Sequence, residues 1–160
     1  MPKLPPQTLL VLAVTILVAG CGADPAPTAR QATVFVVPTD LPNGRVEIAV
    51  SPSYALGAVA TIPVAIVVTR GSVTGPVTAR VLASGIGGGG APAEVLVREL
   101  AVTPAVVGAA GRASRTLTWD TRDLHGAVVP AGAYTLVLEL RSDDAGTSRT
   151  LTAGATLELR

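Results

Sequence analysis

The chain has 160 residues, of which 14% are charged and 2% aromatic, and its formal net charge is +1. Beyond residue 20, eleven arginines balance eleven acidic residues, so the sequence carries no electrostatic footprint for nucleic acid and no polybasic patch for anionic lipid. Cys21 is the sole cysteine, which excludes a disulfide within the chain and a thiolate metal site.

In chain order, the first elements are a basic start at Lys3 and an apolar stretch from Leu9 to Val18. Leu17-Val18-Ala19-Gly20 then leads directly into Cys21. A bilayer span takes about 20 apolar residues, and here Asp24, Pro25 and Pro27 end the run. The apolar region of a secretory signal is about 7–15 residues with a small-residue exit, which fits. The arrangement resembles a bacterial lipoprotein signal. That resemblance implies that residues 1–20 are removed by cleavage between Gly20 and Cys21, and that the Cys21 thiol takes up diacylglycerol. A buried free thiol is the alternative, and it leaves the apolar run behind Pro5-Pro6 without a purpose. By the same resemblance, Gly22 stands where some lipoproteins retained in the inner membrane carry Asp. This points to the outer membrane if the cell has one, and otherwise to the outer face of the plasma membrane.

Residues 21–32 show no periodicity and read as a flexible tether. Residues 33–160 read as one domain, large enough for a real core. Thr33 to Val37 is the first strand candidate, and Pro38 to Gly44 follows as a turn cluster in which Asn43-Gly44 tolerates φ > 0. Arg45 to Val50 alternates, with Val46, Ile48 and Val50 on one face. Val59 to Thr69 is a β-branched run expected to be buried on both faces in its middle, with Pro63 marking an edge or a bulge. Val77 to Ala83 and Glu94 to Leu100 flank the glycine tract Gly85 to Gly90.

Thr103 to Ala113 reads as an irregular crossing. Arg115 to Trp119 places Leu117 and Trp119 inward, and Ala133 to Leu140 does the same for Tyr134, Leu136, Leu138 and Leu140. A turn from Arg141 to Thr147 leads to a last strand with Leu157 and Leu159 inward. No later stretch has apolar residues at helical spacing between caps. Seven to eight short strands separated by Gly and Pro clusters predict an all-β fold, an immunoglobulin-like antiparallel β-sandwich.

The segment from Trp119 to Tyr134 carries a signature: Trp119, Asp120, Asp123, Gly126, Val129, Pro130, Gly132 and Tyr134. It resembles the W-D-G-x-D-x-x-G-x-x-V-P-x-G-x-Y segment of Ig-like domains of the flagellar hook-cap type, and Thr121 stands where that family carries glycine. A similar ending occurs in the intracellular proteinase inhibitor (BsuPI-type) domain, and Val77 to Gly85 resembles a strand element of that family. Ile86 and glycines replace the aromatic and acidic residues that follow there. Physically, Asp120 and Asp123 suit Asx-type turns, Gly126 supplies a φ > 0 position, and Tyr134 is placed for a tyrosine corner.

Other chemistry is weak. Gly85 to Gly90 formally matches G-x-G-x-x-G, but Pro92 and a strand follow where the dinucleotide mechanism needs a helix. Asp120 and Asp123 lack a third calcium ligand, and His125 lacks partners for a metal. Ser114 or Ser142 with His125 and Asp123 shows no nucleophile elbow. The expectation is therefore a non-catalytic module with no metal or cofactor. It would be held to a membrane through Cys21 and would bind or help assemble another envelope component, an envelope protein partner above all. The alternative is an exported BsuPI-type proteinase inhibitor, and a carbohydrate-binding module lacks the aromatic platform it would need. Gly85 to Gly90 and Thr103 to Ala113 are the expected positions of an inhibitory or partner-binding loop.

Overall fold

The computed structural model describes residues 33–86 and 92–160. The signal, Cys21, the tether and residues 87–91 of the glycine hairpin lie outside the described residues. Nine strands follow in order: β1 Phe35–Leu41, β2 Gly44–Val50, β3 Ala60–Val68, β4 Ser72–Ile86, β5 Pro92–Glu99, β6 Ala105–Gly108, β7 Arg112–Trp119, β8 Gly132–Asp144 and β9 Thr147–Leu159. One antiparallel sheet runs β1-β2-β3-β7 and the other β5-β4-β8-β9, with β6 pairing β4 alongside β5. The two pack as an Ig-like sandwich, and no helix occurs among the described residues.

Alternation explains why the sheets stack. Val46 and Ile48 of β2, Ile62, Val64 and Ile66 of β3, and Leu136, Leu138 and Leu140 of β8 are all buried against the facing sheet. Their intervening neighbours face outward. Each such aliphatic side chain contributes about 1.5–3 kcal/mol on burial, and β-branched residues suit the pleated surface. A core with few aromatics is therefore sufficient.

The structure corrects several boundaries. β1 continues through Pro38 to Leu41, and only Pro42 and Asn43 form the turn. Pro38 is tolerated because β1 is an edge strand. Neither Asn43 nor Gly44 has positive φ. Gly44 is required for a different reason: a Cβ there would lie 2.1 Å from the Val67 carbonyl oxygen of β3. β3 is not buried on both faces, since Thr61 and Pro63 are exposed. Pro63 sits one residue beyond the last β2 pair, Ile48↔Val64, where β3 keeps only β7 as a neighbour. The Arg141–Thr147 turn shrinks to Ala145-Gly146, both with positive φ, because the β8 and β9 ladder runs to Asp144↔Thr147. The crossing from Thr103 to Ala113 holds β6, the strand beyond the eight marked in the sequence.

The pairing defines two ends. At the hairpin end lie Leu41–Gly44 and Asp144–Thr147. Asn43 is fully buried there. Its Nδ2 donates to the Arg70 and Ser72 carbonyls (3.2 Å each), and its Oδ1 accepts from Ser142 Oγ at 2.9 Å. At the opposite, loop end, Ala60 pairs Trp119, Gly132 pairs Leu159 and Ala83 pairs Tyr134.

Candidate functional site

The loop from Asp120 to Ala131 closes the loop end, and its own side chains hold it. Asp123 Oδ1 accepts the N–H groups of His125 (2.8 Å) and Ala127 (2.9 Å), and Asp120 Oδ1 accepts that of Arg122 at 3.2 Å. Asp123 N–H returns to the Ala127 carbonyl at 2.9 Å, with Gly126 at φ 82° in between. Both Asx-type turns and the positive-φ glycine are thus where the sequence places them. Desolvation raises the Asp123 pKa, but the Ala127 and His125 N–H groups and the charge of His125 outweigh it and hold the carboxyl below its usual range.

Two aromatic rings anchor the loop to the core. Trp119 is 1% and Tyr134 6% exposed, and their rings meet edge-to-face with centroids 5.4 Å apart. Trp119 Nε1 donates to the Arg122 carbonyl at 2.9 Å. Tyr134 Oη donates to the Pro130 carbonyl at 2.8 Å, four residues upstream, which is a tyrosine corner. Burial pushes the Tyr134 phenol above its ordinary value. Val129 is buried beneath the loop, and Gly132 turns into β8 with φ 152°.

Thr121 has φ 53°, a backbone conformation that favours glycine. For a β-branched residue this is a strained conformation. The hydroxyl offsets the strain: buried, it accepts from Gly57 N–H at 2.9 Å and shares its one proton between the Asp120 carbonyl at 2.8 Å and the Ala58 carbonyl at 3.1 Å. The loop is thereby fastened to the segment before β3, a link that only the tertiary contact reveals.

Arg98 of β5 fastens the other side, donating to the Asp123 carbonyl at 2.9 Å and lying 3.8 Å from the Asp120 carboxylate. Its placement depends on a β-bulge. Arg98 pairs Val81 and Leu96 pairs Leu82, so Val97 has no partner on β4. A bulge re-aims the side chains around it, and here both Val95 and Leu96 stand exposed while Val97 is buried. Between β5 and the loop lies a groove of about 360 Å³, bordered by Val95, Leu96, Leu124, Val129, Pro130 and Tyr134, with Asp123 and His125 at one side.

Other sequence candidates are dispersed. Ser142 is at the hairpin end, bonded to Asn43, and Ser114 lies on β7 opposite Ala65, so neither joins His125 and Asp123. Among the described residues no three His, Cys, Asp or Glu side chains gather as metal ligands. Gly85 belongs to β4. The Thr103–Ala113 segment, read as an irregular crossing, holds β6 at Ala105–Gly108, which pairs β4. Cys21 and Gly20 lie outside the described residues. The groove was not legible beforehand, because Arg98, Thr121 and the Val97 bulge have no local signature.

No protein family matches the chain, and no curated protein is similar to it.

Proposed function

We propose that the chain is an envelope lipoprotein, anchored through Cys21, whose Ig-like domain is a non-catalytic module that binds another component of the envelope. The observation that carries the binding half is the apolar groove at the loop end, built by a bulged edge strand and a loop held rigid by Asp120, Asp123, Thr121 and Arg98. Preformed apolar clefts bordered by a few polar groups are the usual form of a recognition site. The Lys3-to-Cys21 segment supports the anchoring half.

A photo-crosslinking residue replacing Leu124 in the full chain tests the reading in living cells, with the same residue replacing Val106 on β6 as control. Position 124 should capture an envelope component and position 106 should not. Equal labelling from both positions would remove the binding-module reading. Stoichiometric, undegraded inhibition of a serine protease by the purified protein would replace it with the inhibitor reading.

A further inference from the structure

The large apolar side chains that remain exposed are not scattered. Phe35 opens β1, Leu56 and Val59 precede β3, Val95 lies on β5, and Leu124 and Val128 sit on the loop. Val59 is 63% exposed, and Val95 and Leu124 are each 52% exposed. Val36 adjoins Phe35 and Leu96 adjoins Val95, and register places all of these at one end. Leu56 N–H bonds to the Arg160 carbonyl at 3.1 Å, Val59 adjoins the Ala60↔Trp119 pair, and Val95 pairs Ala83, which pairs Tyr134. Phe35 pairs Val50, the last residue of β2, at this same end. Among the described residues, Val106 is the one large exposed apolar side chain that lies away from the loop end.

The chain also enters the domain here. Cys21 precedes Phe35 by fourteen residues, which reach at most about 50 Å when fully extended. For the hairpin end to face the anchoring surface, that segment would have to run nearly straight past the 13-residue β8, about 43 Å long. With the loop end toward the surface no such extension is needed.

We infer that the loop end is a lipid-facing surface: its ring of exposed apolar side chains rests in the interfacial layer of the bilayer that holds the Cys21 anchor. The inference rests on the anchored reading proposed above and deepens it by assigning the occupant of the loop end. Anchoring keeps the local lipid concentration high, so a docking too weak to hold a free domain is sufficient. Charges at this end are of both signs, with Arg122 and Arg160 against Glu94 and Glu158, and Arg98 already beside Asp120. Docking should therefore depend on apolar contact and not on anionic headgroups or ionic strength.

The acylated Cys21 uses up the chain's only thiol, so a single engineered cysteine carries a spin label without ambiguity. The mature lipidated protein, with Val59→Cys, Leu124→Cys or Val106→Cys, is reconstituted in phosphatidylcholine vesicles. Labels at 59 and 124 should collide with oxygen and be shielded from a water-soluble nickel chelate, unchanged by salt, while the label at 106 stays in water. Labels at 59 and 124 as water-accessible as that at 106 would overturn the inference. So would shielding that appears only in native envelopes, which would assign the surface to a protein partner. The mass of the N-terminal peptide reports lipidation separately. If Cys21 carries no lipid, the anchored reading fails and the inference with it. A lipidated protein whose labels all stay wet refutes the docking alone.

Discussion

Trp119 and Tyr134 show how much a few aromatic residues bear in an aliphatic core. Both close the loop end, and each polar atom has a partner. Truncating a buried aromatic costs about 3–5 kcal/mol, against about 5–15 kcal/mol for a whole domain. Trp119→Ala should therefore nearly unfold the protein in a thermal melt, whereas the exposed His125→Ala should change stability by less than about 0.5 kcal/mol. A more damaging His125→Ala would mean the core is misplaced. Thr121 supplies a sharper comparison. Thr121→Gly relieves the positive φ but unpairs Gly57 N–H, so its net effect should stay within about 1 kcal/mol. Thr121→Val keeps the strain and loses the hydroxyl's bonds, and should cost roughly 2–3 kcal/mol. Equal denaturation midpoints for the two variants would show that the hydroxyl contributes nothing. That Trp119 and Tyr134 point inward was legible from alternation alone. The compensation at Thr121 was not, because Gly57 lies 64 residues away.

At the scale of elements, connections are where local signals and tertiary demands diverge. Asn43-Gly44 has the composition of a positive-φ turn, yet Asn43 is used as a buried bridge from the β1–β2 turn to β8 and to the segment between β3 and β4. Asn43→Ala would leave the Arg70 and Ser72 carbonyls and the Ser142 hydroxyl without it, and should lower stability by roughly 2–4 kcal/mol in urea unfolding. A loss below about 0.5 kcal/mol would make the bridge incidental. The Asp120–Ala131 loop behaves as its sequence foretells, since Asx turns need only residues two to four positions apart. Its Asp123 adds a pH signature. The folded pKa lies below the ordinary 3.8, so the stabilisation is complete above that value and is lost as pH falls through the folded pKa. Asp123→Asn cannot titrate. Wild type should melt above the variant near neutral pH, and the gap should close in acid below 3.8. A gap independent of pH would uncouple Asp123 from folding.

For the whole molecule, the proposed anchor at Cys21 and the proposed lipid-facing loop end are tested separately. The basic start, the apolar run and the Val18-Ala19-Gly20-Cys21 exit lead to the expectation that Cys21→Ser releases the protein from the membrane fraction or leaves it unprocessed. Normal processing with full membrane retention in that variant would end the lipoprotein reading. The Val59→Cys, Leu124→Cys and Val106→Cys proteins, with Cys21 intact, should then show through their labels which end of the sandwich the surface meets.

Local sequence is enough to set the class of fold and the inward faces of its strands. Val, Thr and Ile favour extended backbone, and a period of two sorts each strand without reference to any other. It also sets the turn at Asp123 and Gly126 and the corner at Tyr134, whose bonds all span two to four residues. Only the tertiary structure shows where hairpins end, that β6 joins a sheet, that Thr121 takes a positive φ, and that Val97 is bulged out of register. It alone gathered Phe35, Leu56, Val59, Val95 and Leu124 at one end. Those residues are dispersed over some ninety positions of chain, and only the register between remote strands brings them to a common surface.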